Sequence, residues 1–127
     1  VIAMTCILSR RGAFLVLDVD CIQKYIDGLR SVVYPEGDWV LSLEYVYNAD
    51  CRVYVPHFVL YDAPAVFDAG DVKELAEALS EHGFRVLDFA VSYDDVDLFL
   101  VDVFMAPVEW INAYPDCYKE VIKWVSQ

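Results

Sequence analysis

Glycine is scarce in this 127-residue chain, and the five present (Gly12, Gly28, Gly37, Gly70, Gly83) are isolated from one another. Neither a G-x-G-x-x-G loop nor a P-loop can be built, which excludes those modes of cradling a nucleotide. Basic residues are also few, nine against 21 acidic, for a net charge of −12. So acidic a surface repels phosphate backbones and anionic headgroups alike, so nucleic acid and membrane surfaces are not expected partners. No apolar run approaches the roughly 20 residues that span a bilayer. Ala13 to Leu17 is among the longest, so no transmembrane helix is expected. The apolar start, Val1 to Leu8, meets Arg10 and Arg11 at its end. A signal peptide carries its basic residues first, so this start reads as a strand. The four cysteines, Cys6, Cys21, Cys51 and Cys117, form no C-x-x-C pair, which argues against a thiolate metal site or a redox motif.

What is present is hydrophobic side chain, 58% of residues, above the roughly 45–50% of an ordinary soluble domain. That excludes disorder. The length suits a single domain over residues 1–127. Three cysteines sit in apolar periodic segments, where a free thiol behaves as a small buried hydrophobe. The expected state is four reduced thiols in an intracellular, cytoplasmic protein, and the alternative is disulfide pairing in an extracellular domain.

Periodicity supplies the architecture. From Trp39 to Tyr47 every odd residue is large and apolar, a half-buried strand, and Cys51 to Leu60 resumes a β-rich run after Asn48, Ala49 and Asp50. Pro56 and His57 suggest that the outer half of this second strand is an edge or a bulge. Phe84 to Tyr93 and Val96 to Met105 form a second hairpin through Asp94 and Asp95, and Val1 to Leu8 with Ala13 to Val19 a third. Helical spacing follows each pair. Ile22, Tyr25, Ile26, Leu29 and Val33 follow Asp20 as N-cap; Val72, Leu75, Ala76 and Leu79 precede Gly83 as a stop. The last helix opens at Pro107 and is broken at Pro115 into two pieces. The fold class expected is α+β: about six strands, rich in antiparallel pairs, and three helices in ββα-ββα-ββα order as a two-layer sandwich.

The sharpest candidate for chemistry is Phe14-Leu15-Val16-Leu17-Asp18-Val19-Asp20, an apolar strand that ends in two acids and runs into a helix. Residues two apart in a strand share a face, so Asp18 and Asp20 converge there on one Mg²⁺ or Mn²⁺, ions that prefer hard oxygen ligands. The alternative is structural, with Asp20 capping the helix and Asp18 at a solvated strand end. The stretch Leu17 to Ile26 resembles the first metal motif of palm-type nucleotidyl cyclases and of the palm-bearing effector subunits of CRISPR systems. That resemblance implies a βαββαβ palm with Asp18 as a metal-binding position and Asp20 as a second. The family's Gly-Gly-Asp turn falls at Tyr47 to Cys51, where this chain has Asn48-Ala49-Asp50 and no glycine pair.

The other titratable residues read as structure. Cys51 and His57 lie about 20 Å apart along a regular strand, too far for a nucleophile and its base. His82 suits a helix C-terminus, and Asp94, Asp95 and Asp97 an acidic turn. No catalytic residue is singled out. The strand Val96 to Met105 is apolar on both faces, with Leu98 and Leu100 on one and Val101 and Val103 on the other. Three helices cover one face of a six-stranded sheet, so the other face calls for a partner. The function expected is therefore a non-enzymatic interaction or assembly module, a homo-oligomer or a binder of another protein, with Leu98, Leu100, Val101 and Val103 at its interface. No cofactor is expected unless the metal-dependent, nucleotide-acting palm is the correct reading.

Overall fold

A computed structural model describes residue 6 and residues 8–32, 40–64, 69–93, 99–119 and 121–122. Six strands and four helices follow in the order β1 (Ser9–Arg11), β2 (Phe14–Val16), α1 (Val19–Val32), β3 (Val40–Asn48), β4 (Val53–Pro64), α2 (Ala69–Glu81), β5 (Phe84–Tyr93), β6 (Phe99–Pro107), α3 (Val108–Ala113) and α4 (Pro115–Tyr118). The chain is α+β, and each of three antiparallel hairpins is followed by a helix, with α4 as an added short turn. The βαββαβ order implied by the palm resemblance occurs from β2 to β5, with β1 added before it and β6, α3 and α4 after it.

The sheet is mixed, because β2 runs parallel to β4 with Phe14 opposite Tyr54. β4 is its centre. One edge of β4 carries β3 in unbroken register from Val53 to Tyr61; the other carries β2 at Tyr54 and then β6 from Phe58 onward. Pro56 therefore sits inside the sheet, which corrects the edge or bulge expected there. The Tyr54 N–H reaches Ala13 O at 2.6 Å, away from β3, so the even residues of β4 direct their backbone groups to the β2/β6 side. Pro56 falls where β2 has ended and β6 has not begun. Its missing N–H leaves no ladder bond unmade, and its carbonyl accepts the Tyr118 hydroxyl at 2.7 Å.

Phe58 carries the aromatic core. Its ring stacks on Trp110 at 5.5 Å and lies 6.1 Å from Tyr25 of α1 and 6.2 Å from Phe84 of β5. Leu60, Val103, Met105, Val86 and Leu79 join the same buried cluster. Between Val86 and Asp88 the register with β6 slips, a bulge that leaves both Val86 and Leu87 buried in succession. Gly83 ends α2 at φ +82, a left-handed position that a glycine occupies without penalty. Its carbonyl then takes the Val108 N–H at 2.8 Å and sets the start of α3.

Two expectations at the front of the chain are revised. Cys6 and Leu8 lie outside the strands, and β1 is formed by Ser9, Arg10 and Arg11, residues expected to be the turn. Three aromatic tips hold this segment instead: Trp110 Nε1 and Tyr25 Oη donate to Cys6 O at 3.2 and 3.4 Å, and Tyr114 Oη donates to Leu8 O at 3.2 Å. Backbone groups of this kind, buried beside side chains, need such partners, and the sequence periodicity gave no sign of them.

The expected free thiols are also corrected. Cys6 is bonded to Cys21 and Cys51 to Cys117, with Cα separations of 5.7 and 5.5 Å, and no described cysteine is free. Cys51 lies in the β3–β4 turn rather than in a strand, and only the docking of α4 on that turn brings its partner within reach. Asn48, buried at its base, donates from Nδ2 to Cys117 O at 2.8 Å and accepts at Oδ1 from the N–H groups of Asp50 and Cys51.

In the loop-closure view the shorter bridge is worth about 3 kcal/mol and the longer about 4 kcal/mol. Thiol titration of the unfolded, unreduced protein should find none, and reduction should move the guanidinium midpoint sharply down. Asn48→Ala should cost about 2–3 kcal/mol in the same unfolding experiment, since it strands a buried carbonyl and opens the turn.

Candidate functional site

Asp18 and Asp20 do not meet on a strand. The helix begins at Val19, so Asp18 takes the cap position, its carbonyl accepting the Ile22 N–H at 3.1 Å, and Asp20 lies within the first turn. With Asp18 at the cap and Asp20 in the first turn, the strand geometry that would set both carboxylates on one face is not the geometry found. Both side chains are exposed, and among the described residues no three His, Cys, Asp or Glu side chains gather as a metal site. Asp20 favours the positive end of the α1 dipole, and Arg30 the negative end.

The residues expected at an interface are placed differently from one another. Leu98 lies outside the described residues. Leu100 and Val101 are on β6, in register with Ser92 and Val91 of β5. Val103 is fully buried in the core cluster beside Leu60 and Met105. β6 itself is paired on both sides, with β4 and β5.

An uncovered surface lies at the opposite end of the sheet. Strand register sets Arg11, Phe14, Tyr54 and Tyr47 in one row across β1, β2, β4 and β3. Phe14 stacks on Tyr54 at 4.8 Å, Tyr47 packs on Tyr54 at 5.2 Å, and Tyr45 meets Phe14 edge-on at 5.8 Å. These four rings keep 45% (Phe14), 40% (Tyr45), 52% (Tyr47) and 38% (Tyr54) of their surface in water. On the same strand Leu41 and Leu43 are half-buried against the core. The odd face of β3 thus runs from covered leucines to open tyrosines. The change from Leu to Tyr was the available sequence signal, since a tyrosine tolerates water at its hydroxyl and a leucine gains nothing there.

No protein-family model, curated protein or solved structure matches this chain. Its candidate sites therefore stand on geometry alone.

A second cluster occupies the other face of the same hairpin. Glu44 and His57 are cross-strand partners, and the Tyr61 hydroxyl donates to Glu44 Oε2. This bond, with some burial and the charges of Glu44 and Asp102, pushes the Tyr61 hydroxyl up to about 12. His57 is only 7% exposed, its ring lies 5.9 Å from that of Phe104, and its Nδ1 has no hydrogen-bond partner among the described residues. Burial pulls its pKa below the usual histidine value, against the Val55 backbone and the Glu44 carboxylate, which pull it up. Burial wins, and the imidazole is held neutral beside a carboxylate already engaged by tyrosine. Strand spacing sets His57 too far from Cys51, and its nearness to Glu44 follows only from the cross-strand register, which the sequence alone does not show.

The pH consequence has a definite sign. The unfolded chain takes up the His57 proton near pH 6.5 and the folded one only below that. Stability is therefore full above pH 6.5 and declines as the pH falls through and below it. Denaturant unfolding at several pH values should show wild type losing stability faster than His57→Gln below pH 6.5, by at most about 1.4 kcal/mol per pH unit. Parallel curves would mean that the imidazole is not held neutral by the fold.

Proposed function

We propose that the chain is a non-enzymatic assembly module that self-associates through its sheet, using the open side of β3 and the aromatic cluster rather than β6. The observation that carries this reading is the row of mutually packed, water-exposed rings at Phe14, Tyr54 and Tyr47, with Tyr45 beside it. Rings of about 150–250 Å² each, at these exposures, leave roughly 350 Å² of aromatic surface in water, the size at which a patch on a soluble monomer calls for a role. Tyrosine and arginine are favoured at the centres of protein interfaces, and Arg11 adjoins the row. Phe14 already stacks on Tyr54 and meets Tyr45 edge-on, so the rings are engaged with one another, which suits burial against another protein surface better than insertion of a flat ligand between them.

The layering belongs to the same proposal. Helix α1 meets the Phe58 face through Tyr25, which makes two layers there, and the helices leave the β3 end uncovered. Two disulfides favour an oxidising compartment, or the disulfide-rich interior of a hyperthermophile, over the reducing cytoplasm that free thiols would have indicated. Among the described residues no helix is long and apolar enough to cross a membrane.

Light scattering at tens of micromolar protein should report about twice the 14.5 kDa of one chain or more. The double substitution Tyr45→Ser, Tyr47→Ser should shift that mass toward the monomer with the fold intact, because both residues are exposed and neither belongs to the buried core. A wild-type monomer across this range would overturn the reading.

A further inference from the structure

We infer that two copies of this chain join edge to edge through β3, antiparallel, with the two-fold axis at Val46. This rests on the self-association proposed above and specifies its geometry. Among the described residues β3 is paired with β4 alone, along all nine of its residues. The Tyr54 N–H points away from β3, and Tyr54 is the register partner of Tyr47. Alternation along the strand then sends the backbone N–H and C=O of the odd residues, Leu41, Leu43, Tyr45 and Tyr47, to the unpaired edge. An unpaired edge of this length with neither Lys nor Pro on it lacks the usual protection against strand addition.

Three consecutive residues, Tyr45, Val46 and Tyr47, are exposed at 40%, 39% and 52%, so both faces of the strand are open at this point and Val46 is its centre. Around Val46 the sequence is self-complementary, as a two-fold interface requires. Tyr45 falls opposite the second copy's Tyr47, Val46 opposite Val46, and Glu44 opposite Asn48. The Tyr45 and Tyr47 backbones of the two copies then exchange four hydrogen bonds, and the two aromatic clusters merge into one.

Charge selects this register over longer ones. Centring on Glu44 would set two carboxylates face to face between chains that each carry −12. Centring on Tyr45 would lay each Glu44 against a valine. Centring on Val46 leaves Glu44 on Tyr61 of its own chain and beside a neutral amide. The junction buries chiefly Tyr45, Val46 and Tyr47 of each copy and the strand edges, a contact below the roughly 1,000 Å² of a standard interface that relies on its main-chain bonds. A second copy is thus the occupant that the strand itself describes.

The test uses charge at position 46 in the full oxidised chain, with circular dichroism as the check on folding. Val46→Glu and Val46→Lys should each sediment as monomers, since each brings like charges together across the axis. An equimolar mixture of the two should recover the dimer mass, because opposite charges now meet. Val46→Lys forming a tighter dimer than wild type would place the axis at Tyr45 instead, pairing the lysine with Glu44. Dimers unaffected by either substitution would remove β3 from the interface. Both results overturn this geometry while leaving self-association standing, whereas a wild-type monomer would overturn the reading beneath it.

Discussion

β4 is hydrogen-bonded on both edges, and most of the molecule follows from that constraint. It is also buried on both faces, since Val53 is followed by an almost unbroken buried run through Leu60, with Tyr54 the exception. Three strands from separate stretches of sequence, β2, β3 and β6, are aligned by it. The helices are aligned by it in turn, since Phe58 is the ring on which Tyr25 and Trp110 converge. Even Pro56, in its interior, lies at a place where the ladder changes partner.

The parts of the fold legible in the sequence are those decided by local periodicity. β5 runs from Phe84 to Tyr93 as its alternation predicts, α1 carries Ile22, Tyr25, Ile26 and Leu29 inward, and Pro115 divides the last helix. Illegible were the features that depend on what arrives from far along the chain. Pro56 looks like an edge residue until β2 and β6 are known to flank it. Cys51 and Cys117 look like separate apolar residues until α4 is known to dock on the β3–β4 turn. Asp18 and Asp20 show the limit of periodicity itself, because a helix starting two residues earlier takes Asp20 out of the strand-like stretch and into the first turn.

The two faces of the β3–β4 hairpin divide its chemistry. One presents packed rings to solvent at its turn end; the other carries Glu44, with His57 across the strand from it and Tyr61 bonded to it. Tyr61 engages the Glu44 carboxylate, so the one acidic side chain of β3 is committed within the chain. An edge whose only charge is already satisfied offers little repulsion to a neighbouring strand, although the protein as a whole is strongly acidic.

The disulfides also give the molecule a covalent outline that its compact shape hides. Cys6–Cys21 and Cys51–Cys117 close two rings that do not overlap, joined by a single open tether, residues 22–50. A backbone cut inside either ring leaves one molecule that parts only on reduction. A cut in the tether separates two pieces even when oxidised, held then by packing and the β3–β4 ladder alone. Most of α1 and all of β3 lie on that tether, so the strand with the open edge is the one that no covalent ring secures.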